Sequence, residues 1–199
     1  MTWEILSIIG TIAFAISGTL IAIEEDFDLF GFYILGFTTA FGGGLIRNLL
    51  IGVPVQNIWM QSSLFKIAFF VITLVFFLPN IWKGHLRSSI VFFDAVGLAA
   101  FAIQGANFAM SFDAPLISVT LAAILTGSGG GMLRDIFAGR RPMIFHSEIY
   151  AIWAASAGLA IGLGLIKTSF LTYLLLTIIV LLRVASVHFD WNLPRYFYR

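Results

Sequence analysis

The sequence predicts an all-α integral membrane protein. Seven transmembrane helices are expected, as two inverted three-helix repeats plus a seventh helix. Three observations predict this. Of 199 residues, 60% are hydrophobic and 11% charged, where soluble domains carry ~25% charge. The apolar residues fall into seven runs, each close to the roughly 20 residues that cross a hydrocarbon core. The chain also matches itself when slid by 87 residues.

The runs are 3–23, 29–50, 63–82, 90–110, 115–138, 148–166 and 169–188. The first begins MTWE, with no early Lys or Arg, so it reads as a spanning helix rather than a positively charged signal peptide. Glu24, Glu25 and Asp26 end it. Gly52 and Pro54 follow the second run, and Pro79 with Lys83, His85 and Arg87 close the third. Asp113 and Pro115 separate the fourth from the fifth. Gly139, Arg140, Arg141 and Pro142 close the fifth, and Lys167 marks the end of the sixth. None of these gaps holds a soluble domain. One membrane domain is expected over 1–199: repeat 1 at 1–83, repeat 2 at 88–167, helix 7 at 169–188 and a tail at 189–199.

Composition excludes several function classes. There is no cysteine, so disulfides and thiolate chemistry are ruled out. His85, His146 and His188 are far apart in sequence, so no metal site and no cofactor are expected. A net charge of +1 implies no bulk attraction to nucleic acid. HExxH and GxSxG are missing, and GSGGG lacks the Lys-Ser/Thr of a phosphate loop. No enzyme is expected.

Orientation follows from Lys and Arg in the loops. Seven spans put the termini on opposite sides. Lys83, Arg87, Arg140, Arg141, Arg195 and Arg199 fall on the C-terminal side. That side is expected in the cytoplasm of a prokaryotic plasma membrane, with the N-terminus outside.

In the repeat, residues 9–52 align with 96–139 without a gap. Fifteen of 44 positions are identical: Gly10, Ala13, Phe14, Ala15, Ile16, Gly18, Ala22, Asp26, Leu29, Thr39, Gly42, Gly43, Gly44, Arg47 and Gly52 each recur 87 residues later. Each copy spans the membrane three times. Three is odd, so the second copy enters from the opposite side. Inverted repeats of this kind place a path at their interface near the midplane, often on broken helices.

The second helix of each repeat carries a glycine triplet followed by an arginine: FGGGLIRN at 41–48 and SGGGMLRD at 128–135. Glycine costs roughly 1 kcal/mol against alanine in a helix, and a charge in hydrocarbon costs roughly 2.5 kcal/mol or more. Two such defects at one offset point to a kinked or unwound segment. Freed backbone groups there must face protein or water. Close packing of small residues is the plainer alternative, and it is the expected role of Gly158 and Gly162 in the sixth run. The candidate pore and kink residues are Gly42, Gly43, Gly44, Gly129, Gly130 and Gly131, with the hydroxyls of Thr38, Thr39, Thr126 and Ser128. The candidate electrostatic gate is Arg47 with Asn48, and Arg134 with Asp135 and Asp94. These arginines either pair with the carboxylates or snorkel to the interface. Gln104 and Asn107 add polar groups to the fourth helix.

FGGGLIRN and GSGGGMLRDIFAGRRP, within a 3+3+1 arrangement, resemble the trimeric intracellular cation (TRIC) channels, in their prokaryotic form. The resemblance covers essentially the whole chain. It implies a homotrimer with one hourglass pore per protomer, between helices 2 and 5 kinked at GGG, passing monovalent cations, chiefly potassium. The same family carries a glycine-transporter label, which implies a carrier. It also implies bound membrane lipid, for which Lys83, Arg87, Arg140 and Arg141 are the candidate headgroup contacts. The expected function is therefore a potassium channel; the alternative is a secondary transporter of a small solute such as an amino acid.

Overall fold

The computed structural model describes residues 2–145 and 149–193. His146, Glu148, Arg195 and Arg199 lie outside them. Among the described residues there are seven α-helices: α1 (Thr2–Glu24), α2 (Leu29–Ile51), α3 (Ser62–Phe77), α4 (Leu86–Met110), α5 (Leu116–Phe137), α6 (Ala151–Gly162) and α7 (Ser169–His188). Five are long and apolar enough to cross a membrane; α3 and α6 are shorter.

Two expected boundaries move inward. α3 stops after 16 residues rather than continuing to 82. Leu78 precedes Pro79 and has left the helical region, with φ −119°, because the proline ring crowds the residue before it. α6 runs 12 residues rather than across 148–166; Gly164, at φ 71°, turns the chain out of it. At 1.5 Å per residue these helices span only about 24 and 18 Å. α4, in contrast, begins at Leu86, one turn earlier than expected at 90.

The inverted repeat is visible in the backbone. Asp26 and Asp113 occupy the left-handed region, at φ 53° and 51°, and they are repeat equivalents. Gly52 and Gly139 end α2 and α5 with φ 76° and 70°, and they too are equivalents. At both glycines a left-handed turn closes the helix, where a side chain would be strained. The entry to α2 is fixed by Asp28, whose carboxylate accepts from the Gly31 N–H at 2.8 Å.

Packing obeys the same symmetry. A methyl group at Gly10 would strike the Phe101 ring, and one at Gly97 would strike the Phe14 ring. Those two rings meet at 5.3 Å, so each fills the groove left by the other copy's glycine. Gly18 lies against Leu35 and Thr39, and its equivalent Gly105 against Ala122 and Thr126. Leu6, Leu98, Ile103, Val119 and Ile179 belong to the largest apolar cluster, which joins α4 to α1, α5, α6 and α7.

The glycine triplets correct one expectation. Both helices continue unbroken through them, so unwinding is not what the glycines do. They let two backbones touch. A Cβ at Gly43 would overlap the Thr126 carbonyl, and one at Gly130 would overlap the Thr39 carbonyl. As the residue number falls from 43 to 39 on α2, its partner rises from 126 to 130 on α5. The two helices therefore cross antiparallel. The paired glycines of α6 do what the sequence suggested: Gly158 lies over the Thr120 backbone and Gly162 over the Leu116 side chain, seating α6 on α5.

A Gly43→Ala or Gly130→Ala change places a methyl group against backbone that cannot yield. A loss of about 1–3 kcal/mol or more is expected, on the scale of overpacking. Gly44→Ala is the contrast, since only the Arg47 Nη2 lies near its Cβ, at 3.9 Å; it should be neutral or stabilising by about 0.5–1 kcal/mol. Thermal unfolding in detergent separates the two.

Candidate functional site

Two cavities open beside the α2–α5 crossing, and their linings share no residue. The first, about 520 Å³, includes Trp3, Glu4, Ser7, Gly44, Arg47, Gln104 and Thr126. The second, about 480 Å³, includes Arg87, Ile90, Val91, Arg134, Asp135, Arg140, Arg141 and Arg183. Trp3, Glu4 and Arg47 are the repeat equivalents of Ile90, Val91 and Arg134. The cavities are thus counterparts, one in each half. Each arginine lies one helical turn beyond the glycine that makes the crossing, and the antiparallel course of the helices sends the two to opposite ends.

The halves differ in charge. Arg134 is completely buried. Its Nη1 donates to Asp94 Oδ1 at 2.7 Å and to Ser17 Oγ at 2.6 Å. Its Nε donates to Asp135 Oδ1 at 2.9 Å, and Nη2 lies 2.8 Å from the same oxygen. Asp135 Oδ2 accepts from the Met143 N–H at 3.0 Å, tying the segment after α5 to the ion pair. Two carboxylates therefore hold one guanidinium, and snorkelling is excluded for Arg134. Both of the partners weighed from sequence engage it at once.

The equivalent set in the first half is Arg47, Asn48, Ser7 and Gln104, matching Arg134, Asp135, Asp94 and Ser17. The geometry is similar but the carboxylates are gone. Arg47 Nε and Nη2 donate to Asn48 Oδ1 at 3.2 and 3.0 Å. Its guanidinium lies over the Phe108 ring, 4.2 Å from the centroid. Gln104 instead donates to Ser7 Oγ at 2.6 Å and to the Trp3 carbonyl at 3.1 Å.

The other predicted residues are spread around these centres. Gly42 and Gly129 lie in the crossing, against Leu133 and Ile46. Gly131 leaves room for the Tyr150 hydroxyl and Asp94. The Thr39 and Ser128 hydroxyls donate back to the Leu35 and Ile124 carbonyls, both at 2.6 Å. Thr126 Oγ1 is buried with no partner among the described residues, and Thr38 is half-buried. Asn107 donates to Ile103 O at 3.0 Å. Of the candidate headgroup contacts, Arg87, Arg140 and Arg141 line the second cavity and Lys83 is exposed outside it. Arg140 bridges Glu24, at 2.9 Å, and Glu25. Partial burial alone would lower its pKa, but hydrogen bonds to the two carboxylates more than offset that and raise it.

Two residues escaped the sequence reading. Arg183 on α7 is 1% exposed, and its guanidinium sits 4.7 Å from the centre of the Tyr150 ring. Tyr150 is buried beside Gly131, Asp94 and Arg134. A charge within the seventh apolar run was the available signal for Arg183; nothing local marks Tyr150.

Comparison with known proteins decides the family. A family model described as "Glycine transporter" matches residues 4–80 and again 91–166. The two matches begin 87 residues apart, which is the repeat offset found above. A crystal structure of a prokaryotic TRIC channel in 0.5 M KCl is 33% identical, with a TM-score of 0.88, covering 96% of this chain and 98% of that one. The chain belongs to the TRIC channel family. A second TRIC structure, described as a structural basis for conductance through TRIC cation channels, is 33% identical with a TM-score of 0.85, covering 100% of this chain and 99% of that one. The UPF0126 membrane protein YvgT of Bacillus subtilis (strain 168) is 53% identical over 199 residues, 100% of this chain and 98% of its own. Like these relatives, this TRIC family member is an integral membrane protein.

Removing one partner of a buried ion pair costs about 3–5 kcal/mol. Asp94→Asn should reach that range in thermal unfolding. Asp135→Asn should cost as much, because both Asp135 oxygens accept hydrogen bonds, from Arg134 and from the Met143 N–H, and an amide can replace only one of them.

Proposed function

We propose that the protein is a cation channel passing monovalent cations, potassium foremost, through one path in each protomer of a homotrimer. TRIC family membership supports the channel class. The observation that carries the reading is the pair of repeat-related cavities on either side of the α2–α5 crossing, with one arginine beside each. A path joining them passes Gly42–Gly44 and Gly129–Gly131, where the Thr126 hydroxyl, without a partner among the described residues, can replace part of an ion's hydration shell.

In this reading Arg134 is the gate. Held by Asp94 and Asp135, it belongs to a group whose two carboxylates outweigh its one positive charge, so a cation is not repelled; released, it moves into the path. Membrane voltage acts on such a charge with about 2.3 kcal/mol per 100 mV if it crosses the whole field. The C-terminal side faces the cytoplasm of a prokaryotic plasma membrane, where Lys83, Arg87, Arg140 and Arg141 meet lipid headgroups. A carrier for a small solute such as an amino acid is the second reading. The matching family description, "Glycine transporter", favours it, and inverted repeats serve carriers equally well.

The test is single-channel recording of purified protein in planar bilayers under a potassium chloride gradient. Discrete steps reversing near the potassium potential are expected. Reversal near the chloride potential overturns the ion assignment. Silence from intact trimers, with saturable counterflow of solute in vesicles, establishes the carrier. Arg134→Gln should change conductance or its voltage response; if both stay as in the parent protein, the gate is abandoned.

A further inference from the structure

We infer that the first cavity is a binding site for a small carboxylate, which lies against Arg47. The inference rests on the cavity and on the Arg47 guanidinium that lines it, and it holds for channel and carrier alike.

Three observations carry it. Arg47 is 8% exposed yet lines the 520 Å³ cavity. Among the described residues it makes no ion pair, and its hydrogen bonds use Nε and Nη2 only. Nη1 is left for a ligand. The same guanidinium in the other half shows what the position accepts: Arg134 is met by two carboxylates, Asp94 and Asp135, where the first half has Ser7 and Asn48. Glu4 lines the same cavity but forms no ion pair with Arg47. A desolvated cation without a directly bonded counter-charge is costly, and a face-on aromatic ring returns only part of that cost. A carboxylate from outside completes the set that the second half builds from its own chain. Around it stand Gln104 and Ser7, already bonded to each other, and the unpartnered hydroxyl of Thr126. The volume admits a small carboxylate with water beside it, and a carboxylate fits the planar fork of Arg better than a spherical halide does.

The probe is acetate, with chloride as control at equal ionic strength. Purified protein is titrated and followed by thermal shift, and by tryptophan fluorescence, since Trp3 lines the same cavity. Saturable stabilisation by acetate and not by chloride is expected. Arg47→Gln should weaken it by about tenfold or more, the scale of a lost hydrogen bond to a charged group. Should that variant fail to fold, Asn48→Asp serves in its place. It installs the carboxylate that the second half carries at Asp135, so it should fold and should abolish the acetate response from within. If Asn48→Asp responds to acetate as the parent does, the ligand is not at Arg47 and the inference falls. If acetate and chloride act alike on the parent, the site is not a carboxylate site. Neither result bears on the conduction test above.

Discussion

Everything in this fold is arranged around one contact, the backbone-to-backbone crossing of α2 and α5. Gly43 meets the Thr126 carbonyl and Gly130 meets the Thr39 carbonyl. No side chain separates the helices there. That closeness brings Phe14 and Phe101 together on the pseudo-symmetry axis, seats α1 and α4 in matching grooves, and sends Arg47 and Arg134 to opposite ends. Glycine's cost within each helix is offset by packing that no larger residue permits.

Symmetry in the backbone is used for asymmetry in charge. The two halves share their left-handed turns, the glycines that close α2 and α5 and the glycine contacts of the crossing, yet differ at the positions that decide the electrostatics. Asp94 and Asp135 together outweigh the charge of Arg134; Ser7 and Asn48 give Arg47 no carboxylate. A buried arginine in a membrane protein is costly unless its charge is met; here two carboxylates meet Arg134, while Arg47 has the Asn48 amide and the face of the Phe108 ring. α7, which has no counterpart in the repeat, adds Arg183 over Tyr150 on the already charged side.

Much of this was legible in the sequence. The repeat offset, the seven helices and the two arginines all leave side-chain patterns, and those patterns survive in three dimensions. What was not legible lies in the backbone. The triplets announced a special place on α2 and α5 but not its purpose, because a glycine that breaks a helix and a glycine that admits a neighbouring carbonyl look alike in one dimension. The short α3 and α6 were overextended because apolar residues continue past Pro79 and Gly164 after the helix has ended. The pairing of Arg134 with Ser17 joins residues 117 apart in sequence, and no local spacing reports that.

The crossing also has a mechanical meaning. Two stiff rods touching at one point behave as scissors: widening the angle between them parts the blades and the handles together. With the rivet made of glycine against carbonyl, no side chain lies between the rods to be displaced when their angle changes.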